Sequence, residues 1–336
     1  MADPILSIRD LKVEVDIGGR SLSVLDGVSL DLYAGRTLGV VGESGCGKSM
    51  TALATMGLLP ERFAVTGGEI LFDGEDLTRL AAPRLRQLRG NAISMIFQEP
   101  MTSLNPVMTV GRQIAEVVEL HQGRSRAEAR EIALEMLRAV HIPGPEQRLD
   151  AYPHELSGGM RQRVMIAIAL ACRPRVIIAD EPTTALDVTV QAQIFRLLRE
   201  LQMDTGTAIL LITHDLGAVA DMADEVAVLY AGKCVERGPV DAILGAPSHP
   251  YTRGLMSCTP RLRLGAAALE PDPHGLGEIP GMVPPLGRFP RACRFGPRCG
   301  LADARCHAEA PPLVPTGPAH TALCWHVTPH SAEARP

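Results

Sequence analysis

The sequence contains no segment that would carry it into or across a membrane. No run of eighteen or more apolar residues occurs among its 336 residues, whereas a transmembrane helix needs about 20. Residues 1–6 also lack the basic stretch followed by an apolar stretch that is typical of a secretory signal. We therefore expect a chain that neither crosses the membrane nor is exported.

The sequence also lacks an excess of positive charge. Lys and Arg number 33 against 38 Asp and Glu, which gives a formal net charge of −5 and an isoelectric point near 6.1. Proteins that bind nucleic acid normally carry a basic surface, so we do not expect nucleic acid as a partner. The content of 46% hydrophobic and 21% charged residues is that of a folded globular protein.

Cysteines are few over most of the chain. Of the eight, four are widely separated, as is usual in a reducing compartment. These are Cys46, Cys172, Cys234 and Cys258. The other four crowd into 32 residues near the C-terminus and need a separate explanation: Cys293, Cys299, Cys306 and Cys324.

Short apolar runs bounded by Gly, Asp or Pro predict buried strands. The predicted strands are 37–41, 69–72, 93–97, 176–179, 208–212 and 226–229. Apolar residues that recur every three or four positions over 127–140 and 190–203 predict helices. This alternation indicates an α/β fold with a largely parallel sheet. From about Pro260 the chain becomes rich in proline, which predicts a compact, loop-rich tail.

Residues 42–49, Gly-Glu-Ser-Gly-Cys-Gly-Lys-Ser, fit the phosphate-binding pattern GxxxxGK[ST] between a strand and a helix. Glycines in such a loop let backbone N–H groups surround phosphate oxygens, and the following helix points its positive end at them. Lys48 can reach the β and γ phosphates of a nucleotide, and Ser49 can hold Mg²⁺. The residues predicted to bind the nucleotide here are Gly42, Ser44, Gly45, Cys46, Gly47, Lys48, Ser49 and Met50.

Two adjacent carboxylates, Asp180 and Glu181, end the apolar strand that begins at Val176. Charge buried at a strand end is costly unless a partner neutralises it. A Mg²⁺ ion on the neighbouring phosphate loop would be such a partner for Asp180. Glu181 would then lie where it could polarise an attacking water. The alternative is an ordinary acidic turn, which the presence of the phosphate loop disfavours.

A second anion-binding sequence follows Leu156. Ser157, Gly158 and Gly159 precede a predicted helix, so a hydroxyl and backbone N–H groups could surround an anion there. Ordinary helix capping by Ser157 is the alternative. The position relative to the other motifs favours the first interpretation, because Leu-Ser-Gly-Gly-Met over 156–160 resembles the LSGGQ signature of ATP-binding cassette (ABC) ATPases.

The remaining motifs of that family follow in the expected order. Gln98 resembles the Q-loop glutamine, which links the metal site to a helical subdomain. Asp187 lies in an Ala-Leu-Asp sequence that resembles the D-loop, and His214 resembles the switch histidine that contacts the γ-phosphate. The resemblance implies that the catalytic residues are Glu181, His214 and Gln98, that Ser49, Gln98 and Asp180 hold Mg²⁺, and that Asp180, Ser157, Gly158, Gly159 and Asp187 also serve the nucleotide.

Three longer stretches, 97–106, 152–163 and 249–255, resemble the ATPase subunits of dipeptide, oligopeptide and nickel importers, with the dipeptide group the most similar. The resemblance covers essentially the whole chain. It implies an ABC nucleotide-binding domain over 1–250, with a helical subdomain inserted at about 98–161, and an extension over 251–336.

This resemblance also implies partners and a location. The partners are two membrane permease subunits, a second ATPase subunit that is usually a paralogue, and an extracytoplasmic solute-binding protein. The chain would lie at the cytoplasmic face of the plasma membrane and energise uptake of peptides or similar solutes. Ser157 of one ATPase subunit would complete the ATP site around Lys48 of the other. A soluble regulatory ABC ATPase or a metal-sensing module is the alternative function.

Two positions depart from the family pattern. Met160 stands where the general signature has Gln, although the anion-binding residues before it are unchanged. Val15 stands where the family usually has an aromatic residue that stacks on adenine. Such stacking is worth about 1–3 kcal/mol per base. An apolar contact from Val15 or Ile17 therefore predicts weaker or less base-selective nucleotide binding.

The four cysteines of the tail are separated by five, six and seventeen residues. Disulfides are disfavoured in a reducing compartment, and four free thiols so close together would be reactive. Zinc is an alternative, although zinc sites favour cysteine pairs two to four residues apart. The arrangement resembles the cysteine set of dipeptide-importer ATPases, which implies a [4Fe–4S] cluster. His307 and His326 are expected to be bystanders.

Overall fold

The computed structural model describes residues 3–98, 103–183, 188–258 and 277–327, and within them two sheets are present. The strands are β1 (Leu6–Ile17), β2 (Arg20–Leu32), β3 (Thr37–Val41), β4 (Phe63–Phe72), β5 (Glu75–Asp76), β6 (Ile93–Ile96), β7 (Val176–Asp180), β8 (Ala208–Ile212), β9 (Glu225–Tyr230), β10 (Lys233–Pro239), β11 (Leu313–Gly317) and β12 (His320–Leu323). The described α-helices are α1 (Lys48–Thr55), α2 (Ala82–Leu88), α3 (Val110–Gln122), α4 (Arg126–Ala139), α5 (Pro145–Arg148), α6 (Gly158–Leu170), α7 (Val188–Thr205), α8 (Leu216–Met222), α9 (Val240–Gly245), α10 (Pro250–Ser257) and α11 (Ala304–Ala308).

The centre of the eight-stranded sheet is parallel, in the order β9, β3, β8, β7, β6. All residues of β3, β7 and β8 are buried. Alternate residues of these strands enter two different apolar cores: Ile177 packs with the helical region, and Ile178 packs with the antiparallel sheet. A strand buried on both faces is apolar at successive positions, which is why its sequence signal is strong. The predicted α/β fold with a largely parallel sheet is confirmed.

A four-stranded antiparallel sheet, in the order β2, β1, β4, β5, covers one side of this core. β1 and β2 were not predicted, and β4 begins at Phe63 and not at residue 69. Register shifts interrupt the pairing of β1 with both neighbours, so the alternation of buried and exposed residues is irregular. The pair Gly18-Gly19 could have indicated the hairpin of β1 and β2. These two residues, with positive φ angles of 62° and 77°, form its two-residue turn.

The helical region consists mainly of α3, α4 and α6, which bury apolar faces against one another. Ser125 begins α4 with a capping box, because its hydroxyl and the carboxylate of Glu128 each accept a hydrogen bond from the backbone N–H of the other residue. The predicted helices over 127–140 and 190–203 correspond to α4 and α7 within two residues at each end. Within the described residues, no helix combines the length and apolar character that a membrane span requires.

The described part of the C-terminal extension adds strands to the main sheet. β11 and β12 form an antiparallel hairpin, and β12 pairs with β10. A buried hydrogen bond of 2.7 Å joins His320 Nε2 and Glu236 Oε1 across this junction. The tail is loop-rich over 277–303, as predicted, but its hairpin fixes it to the nucleotide-binding core.

Candidate functional site

The phosphate loop lies between β3 and α1, at the carboxyl end of the parallel strands. Its glycines at 42, 45 and 47 all have positive φ angles. A side chain at Gly47 would put its Cβ 2.5 Å from Leu25 Cδ2, and φ at this residue is 108°, so only glycine fits. The loop therefore brings backbone N–H groups and the start of α1 to one point, as the sequence predicts.

Lys48 is buried and spans the loop from the first residue of α1. Its Nζ donates hydrogen bonds to the carbonyl oxygens of Gly42, at 2.7 Å, and Glu43, at 3.2 Å. An ammonium in this position can exchange a carbonyl oxygen for a phosphate oxygen with little movement.

Ser49 and Asp180 lie together although 131 positions separate them in the sequence. Ser49 Oγ donates to Asp180 Oδ1 at 3.1 Å, and Asp180 is buried at the end of β7. Burial raises the pKa of Asp180, so its carboxylate is stabilised by a cation beside it. A hydroxyl and a carboxylate oxygen are the donors that Mg²⁺ prefers, and this pair fits that ion.

The Glu181 carboxylate accepts a hydrogen bond from Gln98 and lies close to His214. Gln98 Nε2 donates to its Oε2 at 2.9 Å, and His214 Nδ1 lies 3.4 Å from its Oε1. Glu181 has a φ of 47°, a left-handed conformation that is uncommon for a residue with a side chain. Its backbone N–H donates to Ile212 O at 2.8 Å, which holds the residue between the ends of β7 and β8. All three predicted catalytic residues therefore meet at one carboxylate.

Ser157 caps α6 by accepting a hydrogen bond from the backbone N–H of Met160 at 3.3 Å. The capping interaction that the sequence analysis considered as an alternative is therefore present. A Cβ at Gly158 would meet no atom within 4 Å, whereas one at Gly159 would lie 3.2 Å from Val190 Cγ1, so the helix start is open on the side of Gly158. Met160 packs against the helical core.

One connection between α6 and the end of β7, where Asp180 and Glu181 lie, was not predicted. Gln162, which is buried in α6, donates through Nε2 to the backbone carbonyl of Pro182, one residue after Glu181. Gln162 lies in the stretch over 152–163 that resembles the family signature, but no separate role was predicted for it. Asp187 lies outside the described residues, as do residues 99–102 of the stretch over 97–106.

The two apolar positions considered for adenine differ in exposure. Val15 is only 4% exposed, and in the antiparallel sheet it lies opposite Leu22 and Phe63. Ile17 is 50% exposed. Of the two, Ile17 is the residue that offers apolar surface.

The four cysteines of the extension are all free thiols, three of them buried and Cys299 half-buried. Backbone N–H groups donate to two of the sulfur atoms: Leu301 to Cys299 and His326 to Cys324, each at 3.4 Å. Such bonds stabilise thiolates. Burial raises the pKa of Cys293 and Cys324, so a bound cation would be needed to keep these buried sulfurs deprotonated.

The sulfur atoms are not arranged as a closed zinc cage. Within the described residues, one trio of His, Cys, Asp or Glu side chains has ligand atoms that all lie within 4.8 Å of one another, and it is Asp303, Cys306 and His326. Four thiolates at about 2.3 Å from one zinc ion would lie closer together than this limit. His326 was expected to be a bystander of the cysteine set, but its Nε2 lies 3.4 Å from Cys306 Sγ.

The fold and this site define the class of protein: an ABC-type ATPase. The family described as ABC transporter matches residues 25–184, and the family described as oligopeptide/dipeptide transporter, C-terminal region, matches 235–306. The chain belongs to the ABC transporter ATP-binding proteins that carry this C-terminal region.

Individual relatives agree with that assignment. The chain is 52% identical to a probable peptide ABC transporter ATP-binding protein of Sinorhizobium fredii over 96% of its own length and 95% of the relative's. It is 49% identical to the dipeptide transport ATP-binding protein DppD of Bacillus subtilis, over 96% and 95%. Among solved structures, the ADP- and phosphate-bound dimeric ATP-binding cassette MJ0796 matches with a TM-score of 0.64 and 28% identity, over 70% of this chain and 98% of that chain.

Proposed function

We propose that this ATPase energises the uptake of peptides or related small solutes through an ABC importer. The observation that carries the proposal is the meeting of Gln98, Glu181 and His214 beside the Ser49–Asp180 pair. The names of the relatives, which refer to peptide and dipeptide transport, support the choice of solute class.

In this proposal, the phosphate loop and Lys48 bind the β and γ phosphates of ATP. Ser49, Asp180 and the amide of Gln98 hold Mg²⁺, which when bound neutralises phosphate charge. The raised pKa of Asp180 fits a carboxylate whose partner is a cation.

Glu181 orients the attacking water and accepts its proton. Its carboxylate is held by Gln98 from one side and lies within reach of His214 on the other. His214 is 68% exposed at its side chain, so it can turn toward the γ-phosphate. The residue that activates water is thereby connected to the two residues assigned to sense the nucleotide.

The complete ATP site requires a second subunit. We assign Ser157, Gly158, Gly159 and Asp187 to the nucleotide bound on the facing ATPase subunit, which would be a paralogue. The open N-terminal turn of α6 supports this assignment, because it leaves room for phosphate oxygens. The domain over 1–250, with its helical subdomain at about 98–161, would dock on two permeases at the cytoplasmic face of the membrane. A solute-binding protein would act through those permeases.

We further propose that the extension over 251–336 carries a [4Fe–4S] cluster on Cys293, Cys299, Cys306 and Cys324. The four neighbouring cysteines, three of them buried, and the two N–H···S hydrogen bonds support a site for thiolate ligands, and the resemblance to dipeptide-importer ATPases supports the cluster rather than zinc. Its role would be structural or redox-sensing, because no part of the ATP chemistry involves it.

Transport is tested in a bacterial strain that lacks its own peptide importers and receives this subunit with its permeases and binding protein. Growth on a dipeptide as the sole source of a required amino acid is expected with the wild-type chain and absent with Lys48→Ala. Arg84→Ala, which removes an exposed ion pair with Glu75 and no predicted site residue, is the matched control and should grow normally. Nickel uptake without peptide uptake would contradict the proposed solute class.

The cluster is tested by anaerobic purification. We expect brown protein with about four iron and four sulfide per chain, and we expect Cys299→Ser to lose the colour. Colourless protein that contains one zinc and no iron would show that the four cysteines hold zinc and not a cluster.

A further inference from the structure

Glu43, the second residue of the phosphate loop, is held by the C-terminal part of the chain. Its backbone N–H donates to the Tyr251 hydroxyl at 2.9 Å. Its carboxylate accepts two hydrogen bonds from Arg298, Nη1 to Oε2 at 2.7 Å and Nη2 to Oε1 at 3.1 Å. Both partners lie more than 200 positions away in the sequence. No motif of the ABC core supplies either contact.

Arg298 is fixed in one orientation. Its side chain is 5% exposed, and Nε donates to Pro280 O at 2.8 Å while Nη2 also donates to Gly281 O at 3.2 Å. The hydrogen bonds to Glu43 raise the pKa of Arg298 above its usual value, so the guanidinium is always charged. An arginine with its donors bound to the surrounding backbone is a rigid support for a carboxylate.

Aromatic rings pack around this contact. Aromatic residues make up only 3% of the chain, yet Tyr230, Tyr251 and Phe295 meet here, with ring centroids 4.6 to 5.4 Å apart. Tyr230 Oη also accepts from Arg298 Nη1 at 3.4 Å. These distances are those of favourable aromatic pairs, so the segment that carries Arg298 is firmly packed against the end of β9.

The same segment supports the other end of the phosphate loop. Arg294 Nη1 donates to the carbonyl of Ala231, and the next residue, Gly232, donates through its N–H to Cys46 O at 2.9 Å. Residues 293–299, bounded by Cys293 and Cys299, therefore contact the loop directly at Glu43 and indirectly at Cys46.

From these contacts we infer that Arg298 is a positioning residue for ATP binding, through which the extension holds the phosphate loop in shape and neutralises Glu43. Without Arg298, the carboxylate of Glu43 would be unpaired in the loop that binds the triphosphate. Its negative charge would then repel the phosphates. The inference rests on the proposed binding of ATP phosphates at residues 42–49, and it is independent of which metal the cysteines hold.

The test measures the dissociation constant of AMP-PNP with Mg²⁺ for the full chain in its complex. We expect Arg298→Ala to raise the dissociation constant about 3- to 30-fold, and Arg298→Lys, which keeps the charge without the two-pronged contact, to raise it less. Adding Glu43→Gln to Arg298→Ala should recover most of the affinity, because it removes the unpaired charge. Arg84→Ala, which breaks a two-pronged contact with Glu75 elsewhere, should leave affinity within about twofold.

Two further measurements separate this inference from others. Iron content and circular dichroism of each variant establish whether the extension is still folded and loaded. If the phosphates lie at this loop, Lys48→Ala must abolish AMP-PNP binding. AMP-PNP binding by the Lys48→Ala variant would contradict the proposed site itself. If Lys48→Ala abolishes binding while folded Arg298→Ala binds with wild-type affinity, Arg298 has no positioning role. Equal losses in Arg298→Ala and in its double variant with Glu43→Gln would overturn the neutralisation of Glu43.

Discussion

At the scale of single residues, the centre of the site is the carboxylate of Glu181, which two other predicted side chains contact. Glu181 lies between Gln98 and His214, and its left-handed backbone conformation turns it out of β7. The neighbouring Asp180 points to Ser49 instead. The two adjacent acidic residues thus contact different groups, because successive side chains at a strand end point in different directions, and we proposed separate roles for them.

This division of tasks gives a prediction about turnover. Lys48→Ala should remove productive ATP binding, since the only buried ammonium of the loop is lost. Glu181→Gln should leave ATP binding intact and reduce hydrolysis by about 100-fold or more, because an amide cannot accept the proton of water. Filter binding of labelled ATP and phosphate release measure the two steps separately. Hydrolysis at the wild-type rate in Glu181→Gln would remove Glu181 from the proposed role.

The sequence indicates most of the residues of this site, but not how they are supported. Lys48, Ser49 and Asp180 stand in short motifs that can be recognised in the sequence itself. Arg298 and its carboxylate partner lie 255 positions apart, and neither residue type is unusual where it stands. Such a pair becomes visible only when the fold brings the two segments together.

At the scale of elements, helix α10 depends on a neutral histidine at its start. His249 is buried, and its Nδ1 accepts a hydrogen bond from the backbone N–H of Tyr251 at 3.0 Å. Burial lowers the pKa of His249 from 6.5 to about 4. A protonated ring would carry an N–H donor on both nitrogens. The donor on Nδ1 would then face the backbone N–H of Tyr251, and this hydrogen bond would be lost.

The shifted pKa predicts an acid-sensitive element. The folded pKa of His249 is below the unfolded value, so the unfolded state binds more protons and stability falls as the pH decreases from about 6.5 to about 4. The loss should reach about 2 kcal/mol at pH 5 and about 3 kcal/mol near pH 4. Hydrogen exchange of residues 250–257 at pH 7 and pH 5 measures it, with α4 as the internal reference. His249→Asn, which can still cap the helix, should show a smaller pH dependence. An equal pH dependence in that variant would assign the effect to another group.

Elements differ in how well the sequence predicts them. β3 and β8 have the predicted bounds because every residue is buried and Thr37 is the only one with a polar side chain. β1 and β2 were missed because register shifts and exposed positions break their alternation. The β11–β12 hairpin was missed for a different reason: it is a short edge addition that depends on pairing with β10, and proline at position 315 lies within it.

At the scale of the whole molecule, three regions meet around the phosphate loop and Glu181: the parallel core, the helical region and the extension. The core supplies Lys48 and Asp180, and α6 reaches the catalytic strand through the hydrogen bond of Gln162 to Pro182. A movement of the helical region therefore changes the surroundings of Glu181 directly. This connection gives a physical route by which a bound partner could control hydrolysis.

The last prediction follows from that route. ATP hydrolysis should be slow in the isolated subunit and increase about tenfold or more in the complete complex with solute and binding protein, because docking of the helical region sets the position of α6. Gln162→Ala should reduce this stimulation more than it reduces the basal rate. Phosphate release from the isolated subunit and from the reconstituted complex, with and without dipeptide, makes the comparison. Equal rates that do not respond to solute would argue against coupling, and a fully stimulated Gln162→Ala complex would exclude this hydrogen bond as the connection.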